Sequence, residues 1–300
     1  MVEINAAASG TWALGDMTVR RMGFGAMRLP QVGTAFAAST QPRVRASSIK
    51  VLRHAVELGV NHVDTAAFYF SARRSANELI NSALAPYPDD LVIATKVGPR
   101  RDPAGNWLPM ATPDDLRGDV EENLRQLGRD HLDLVNLRLA KMDSIADHFA
   151  ALAQLREEGL IRHLGISNAR PEHLAQALAI APVVCVQNSY GLDHNTRYDQ
   201  LVRDCGEQGI AFVPFFAIAG TGREAGRVEE DHADIVAVAR AHDASTAQVR
   251  LAWMLSRGPH MLVIPGTGDP VHLAENVAAG GLRLAGDELA RLDAVHDGAQ

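Results

Sequence analysis

Four residues sit at, or just beyond, the ends of apolar strand-like runs and carry side chains that could act together on a proton: Asp64, Tyr69, Lys96 and Arg138. Lys96 lies inside the run Val92-Ile93-Ala94-Thr95-Lys96-Val97. A lysine in such a run is drawn into the protein, where it needs a partner or a chemical role. Tyrosine, with an ordinary pKa of about 10, is a weak acid–base group near neutrality unless a nearby cation stabilises its phenolate. Lys96 can supply that cation, and Asp64 can hold the ammonium in place. Tyr69 would then be a general acid toward an alkoxide developing at a carbonyl, and a base in the reverse direction. Cationic groups at the same spot would also stabilise an oxyanion electrostatically. Each residue also has a plainer reading: the aspartate caps a helix, the tyrosine packs, the arginine pairs with a carboxylate.

These residues need a frame that brings four distant strand ends together. Short runs rich in Val, Ile and Leu recur along the chain: Met22–Leu29, Asn61–Ala66, Leu91–Val97, Leu132–Arg138, Ile161–Ser167, Val183–Gln187, Ile210–Phe215 and Leu262–Pro265. Helical spacing fills the gaps, over Ser47–Leu58, Ser75–Ala83, Pro113–Leu127, Ile145–Glu158, Glu172–Ile180, Thr196–Gln208, Ala233–His242 and Thr246–Ser256. Thr112-Pro113 and Arg170-Pro171 mark helix starts, with proline at the first helical position. Apolar strands separated by helices imply a parallel sheet covered on both faces. Eight such units predict an α/β fold of the (β/α)8 TIM-barrel type, in which chemistry lies at the C-terminal strand ends. An open doubly wound sheet is the alternative, but Gly23-Phe24-Gly25 does not continue as a dinucleotide fingerprint. Residues 11–20, with Gly15-Asp16 at their middle, predict an N-terminal β-hairpin. The expected organisation is one domain: hairpin about 11–20, barrel about 21–284 and a C-terminal helix about 286–297.

The composition narrows the function. With 47% hydrophobic and 22% charged residues, the 300-residue chain can bury a large core. A net charge of −7, with no basic face, argues against nucleic acid as a partner. No run reaches the roughly 20 apolar residues that span a bilayer, and no signal peptide is evident. Cys185 and Cys205 are the only cysteines and read as reduced thiols. A cytoplasmic enzyme, monomeric by default and without a metal, is the expectation.

The chain resembles the aldo-keto reductase superfamily over nearly its whole length. The landmarks are Gly23-Phe24-Gly25-Ala26-Met27-Arg28-Leu29, Val63-Asp64-Thr65-Ala66 with Tyr69, Thr95-Lys96, Gly165-Ile166-Ser167-Asn168, Val186-Gln187-Asn188, and Ile264-Pro265-Gly266-Thr267 ahead of Glu275-Asn276. The resemblance implies a nicotinamide cofactor, NADP(H) rather than NAD(H), bound without a Rossmann domain, and a small-molecule carbonyl substrate. It assigns Asp64, Tyr69 and Lys96 to a catalytic Asp–Tyr–Lys–His set, with Arg138 where most members have histidine. It further assigns Ser167, Asn168 and Gln187 to the nicotinamide carboxamide, and Phe215 to stacking on the ring. Gly266, Thr267 and Gly268 would face the adenosine-side phosphate, and Glu275 and Asn276 the adenine. Asp269, next to Gly268, is an unfavourable neighbour for that phosphate by Coulomb's law and keeps NAD(H) open.

Within the superfamily, Val135-Asn136-Leu137-Arg138, Val186-Gln187-Asn188 and Val213-Pro214-Phe215-Phe216 most resemble the pyridoxal reductase/pyridoxine 4-dehydrogenase-like group. Aromatic or heteroaromatic aldehydes are therefore expected substrates. Arg100, Arg101 and Trp107 lie near the expected pocket mouth, either recognising substrate or forming an ordinary loop. Two other classes stay open: an NADP(H)-binding regulatory or partner protein with little turnover, and a barrel enzyme acting without redox.

Overall fold

The computed structural model describes residues 4–33, 35–36, 40–218 and 231–299. Gly220-Thr221-Gly222-Arg223, which follow the expected seventh strand in the sequence, lie outside them. The strands are β1 (Thr11–Leu14), β2 (Met17–Arg20), β3 (Phe24–Gly25), β4 (Gln31–Val32), β5 (Gln41–Pro42), β6 (His62–Asp64), β7 (Phe70–Ser71), β8 (Arg74–Ser75), β9 (Val92–Val97), β10 (Leu132–Arg138), β11 (Ile161–Ser167), β12 (Val183–Gln187) and β13 (Ala211–Phe212). Seven of them form one sheet in the order β13-β12-β11-β10-β9-β6-β3, and every pairing in it is parallel.

The two edges of this sheet are linked by residues 260–263. Val263 bridges Met22 and Met261 bridges Phe212, both in parallel. Gly23 donates to the Val263 carbonyl at 2.8 Å, and Leu262 donates to that of Phe212 at 3.0 Å. The expected eighth strand, Leu262–Pro265, is thus present as isolated bridges only. Met22–Leu29 shortens to Phe24–Gly25 and Ile210–Phe215 to Ala211–Phe212. Pro214 and Pro265 have no N–H to donate to a ladder, which ends regular pairing near them.

Helices Arg45–Glu57, Ala76–Leu84, Leu116–Leu127, Ala146–Glu157, Pro171–Leu178 and Asp199–Glu207 alternate with the strands. Helices Ala233–Ala241, Thr246–Ser256, Pro270–Ala278 and Gly286–Gly298 complete the described set. Thr112-Pro113 opens a single 3-10 turn, Pro113–Asp115, before the α-helix begins at Leu116. Gly128 ends that helix at φ 64°, a left-handed position that a side chain would strain.

Strand periodicity explains where the site lies. Successive side chains point to opposite faces, so Val92 and Ala94 share a face with Lys96, Leu134 with Asn136 and Arg138, Cys185 with Gln187, and His62 with Asp64. The lower members of these columns form a buried inner cluster: Val92, Ala94, Leu134, Cys185, Ala211, Val213 and Leu262, joined by Leu14, Met17 and Val19. The antiparallel β1–β2 hairpin therefore closes the N-terminal end of the sheet with apolar side chains. The same columns turn polar at their C-terminal ends. The alternate residues, among them Val63, Ile93, Val97, Val135 and Leu137, pack outward in the larger helix-covered core.

Candidate active site

At the C-terminal ends of β6, β9, β10 and β12 the polar members of those columns converge. The Lys96 ammonium donates to Asp64 Oδ1 at 2.5 Å and to the Thr65 carbonyl at 3.0 Å. Gln187 Nε2 donates to the other carboxylate oxygen at 2.7 Å. Asp64 and Lys96 are 3% and 4% exposed, so this is a buried ion pair whose oxygens and protons have partners. Tyr69 is brought over it by the turn that follows β6, with its ring centroid 4.9 Å from Lys96 Nζ.

An outward-facing network fixes the backbone on either side of the pair. Thr65 Oγ1 donates to Asn77, Asn77 Nδ2 donates to Asn123, and Thr95 Oγ1 donates to the same Asn123 oxygen, at 2.7, 2.9 and 2.6 Å. All four residues are fully buried. Thr65 adjoins Asp64 and Thr95 adjoins Lys96, so helices Ala76–Leu84 and Leu116–Leu127 hold the two strand ends in register.

The charges act on one another in opposite senses. Burial alone would lower the Lys96 pKa, but Asp64 and Tyr69 outweigh it and hold it above the ordinary lysine value. Burial raises the Tyr69 phenol above its ordinary value, against the pull of Lys96 and Arg138. Lys96 thus pulls the phenol toward phenolate, and burial, with Asp64, outweighs that pull. Beneath Asp64, burial pushes the His62 imidazole down to about 4.

Arg138 donates to Ser167 Oγ at 3.2 Å, and its guanidinium lies 4.7 Å from the Phe215 ring centroid. Among the described residues no carboxylate forms an ion pair with it, unlike the plainer reading of this residue. Burial lowers its pKa, with Tyr69 and Asp64 opposing that shift. Ser167 is buried and also donates weakly to Gln187 Oε1 at 3.4 Å. Asn168 is exposed, sits at φ 60°, and donates to the Leu139 carbonyl. Ser167 is thus joined to Arg138 and Gln187, whereas neither it nor Asn168 is among the residues that line the cleft described next.

A cleft of about 950 Å³ starts at Asp64, Tyr69, Lys96, Arg138 and Gln187. It continues past Phe215 to Gly266, Thr267, Gly268, Glu275 and Asn276. Backbones meet closely along it: a Cβ on Gly266 would fall 2.4 Å from the Gly25 carbonyl oxygen. Thr267 brings an O–H donor to the far end, where Arg43 also lines the cleft, a setting that suits an anion. The lining thus fits a long ligand with a flat ring beside Phe215 and phosphate groups toward residues 266–268.

The sequence did not point to Phe36, Phe68 or Arg43, which also line the cleft. Trp107 packs edge-on against Phe36 at 5.3 Å, and Phe36 lies 5.8 Å from Tyr69, making an aromatic wall at the mouth. Arg100 pairs with Asp115 at 2.9 Å, and Arg101 donates to the carbonyls of Phe68, Phe70 and Gly105. These two arginines are loop clasps, while Trp107 faces the cleft.

The site is thus a buried Asp–Lys pair under a tyrosine, at the C-terminal ends of a parallel sheet with a long adjoining cleft. The model of the Aldo/keto reductase family matches residues 21–297, and the chain belongs to that family. It is accordingly an NAD(P)-dependent oxidoreductase. The chain is 41% identical over 296 residues to the pyridoxine 4-dehydrogenase of Escherichia coli (strain K12), covering 96% of this chain and 99% of that protein. It is 29% identical over 274 residues to a methylglyoxal reductase of the same organism, covering 90% and 92%. A crystal structure of an aldo-keto reductase from Klebsiella pneumoniae in complex with NADPH matches with a TM-score of 0.77 and 26% identity, covering 93% of this chain and 92% of that one. No described helix is long and apolar enough to cross a membrane.

Proposed function

We propose that this protein is an NADP(H)-dependent reductase of aromatic or heteroaromatic aldehydes of the pyridoxal type, built as a single (β/α)8 barrel whose eighth position is filled by residues 260–264. The observation that carries this reading is the buried Lys96–Asp64 pair beneath Tyr69, in the same cleft as Phe215 and Gly266–Gly268. The similarity to a pyridoxine 4-dehydrogenase and the aromatic wall of Phe36, Phe68 and Trp107 support the substrate class.

In this reading Gln187 and Phe215 hold the nicotinamide, with Ser167 supporting Arg138 and Gln187. Gly266, Thr267, Gly268, Glu275 and Asn276 hold the adenosine end. The bound nicotinamide supplies or accepts the hydride. Tyr69, kept protonated by burial, gives its phenol proton to the carbonyl oxygen as negative charge develops there. The tyrosinate left behind is stabilised by Lys96, which Asp64 anchors. Arg138 donates hydrogen bonds to the same oxygen and orients the carbonyl. Oxidation of an alcohol needs tyrosinate at the outset, so it is the direction favoured by alkaline pH.

The test is nicotinamide absorbance with purified protein, NADPH and an aldehyde panel that includes pyridoxal, with a Tyr69→Phe variant in parallel. Turnover abolished in the variant, with cofactor binding intact, is the expected result. Tight cofactor binding without turnover of any aldehyde would instead favour a regulatory role, and unchanged turnover in the variant would remove Tyr69 from the mechanism.

A further inference from the structure

We propose that Arg43, from a segment remote from the 266–276 region, reads the 2′-phosphate of NADP(H) and sets the preference over NAD(H). The inference rests on the placement of the adenosine end proposed above. Arg43 follows β5 and lines the cleft beside Gly266, Thr267, Gly268 and His272. It is half-buried, yet its contacts are poor. Among the described residues its guanidinium reaches only main-chain carbonyls, those of Arg28 and Gln31 at 3.4 Å and that of Gly268 at 3.5 Å. Neutral acceptors at that distance return little of what a guanidinium loses on leaving water. Among the described residues no carboxylate forms an ion pair with it.

Its neighbourhood is short of negative charge. Burial and the Arg28 guanidinium both disfavour the charged form of Arg43, and Asp269 alone opposes them. That aspartate is already engaged, because its Oδ1 accepts the Val271 N–H at 2.8 Å and caps helix Pro270–Ala278. The carboxylate that made NADP(H) doubtful from sequence is therefore turned to the helix start, with a cation beside it. Thr267 Oγ1 accepts the Asp269 N–H at 3.1 Å, so its own proton can be given to a ligand oxygen.

Gly268 makes the arrangement possible. A Cβ there would fall 2.1 Å from Arg43 Cζ, so any side chain would push the guanidinium off the backbone it lies against. An arginine fork and a hydroxyl donor at one place together match a phosphomonoester dianion. The 2′-hydroxyl of NAD(H) can use none of the charge.

The experiment measures dissociation constants by calorimetry on the full chain for NADP+, NAD+, AMP and 2′-phospho-AMP. Wild type is compared with Arg43→Ala and Arg43→Lys, with circular dichroism as the fold control. In Arg43→Ala, NADP+ and 2′-phospho-AMP should weaken by about 10- to 100-fold, the worth of a charge-assisted hydrogen-bonded contact, while NAD+ and AMP change less than about twofold. Arg43→Lys should recover part of the loss and keeps the test usable if the alanine variant does not fold. Equal weakening of phosphorylated and unphosphorylated ligands would overturn the proposal and leave the cofactor reading standing. Failure of wild type to bind any of the four would overturn both.

Discussion

The two ends of the cleft are prepared for their ligands in opposite ways. At the Tyr69 end, charges are paired before anything binds: Lys96 and Asp64 share a 2.5 Å contact, Gln187 takes the second carboxylate oxygen, and the Asn77–Asn123 network holds the strands outside. At the Gly268 end, Arg43 rests on three carbonyls at 3.4–3.5 Å. A group that must act on a developing charge gains from fixed, satisfied surroundings that need no reorganisation. A group that must recognise a charge gains from being left in need of one.

The largest expected effect lies at the first end. Tyr69→Phe should cost about 100- to 10,000-fold in reductive turnover while leaving the thermal midpoint and NADP+ affinity near wild type; a loss in binding of the same size would erase the distinction between the ends. The raised Tyr69 pKa also means that wild-type reduction should persist through neutral and mildly alkaline pH and fall only above the ordinary phenol range. Next comes Asp64→Asn, which strands the buried Lys96 charge. Denaturant titration should show about 3–5 kcal/mol less stability, whereas Arg43→Ala should show almost none.

A smaller effect concerns His62. Its folded pKa of about 4 lies below the ordinary 6.5, so as pH falls between those values the unfolded chain takes up a proton that the folded chain refuses. Its contribution is complete above pH 6.5 and is lost toward pH 4, by at most about 3 kcal/mol. A His62→Leu variant should flatten stability against pH in that window; an unchanged slope would place the acid sensitivity elsewhere. The smallest effect is that of Gly268→Ala: NADP+ affinity reduced several-fold through displacement of Arg43, with a smaller loss for NAD+.

What the sequence reveals of all this follows from how local the signal is. Leu132–Arg138 and Ile161–Ser167 are read residue for residue, because their apolar runs are unbroken. The strands around Gly23, Gly25, Pro214 and Pro265 are overextended in that reading, since glycine and proline interrupt the ladder without interrupting the apolar pattern. Asp64, Tyr69 and Lys96 are legible because polar groups at strand ends break an apolar rhythm. Arg43 is not, being one arginine in an irregular stretch whose meaning comes from Gly268, 225 positions away. Arg101 fails in the opposite sense: it looks like a pocket residue and proves to be a loop clasp. Asn168 carries a family motif, and in the structure its side chain donates to the Leu139 carbonyl.

The closure of the sheet by residues 260–263 has a consequence for how the chain is made. Met22 meets Val263 only after the 240 residues between them have been synthesised. Until then β3 and β13 are open edges with unpaired N–H and C=O groups, which invite pairing with other chains. Completion also waits on contacts of very long sequence separation, which slow folding. A ribosome-bound chain ending before residue 260 should therefore be the species that most needs chaperone protection, and emergence of residues 260–263 the event that removes that need.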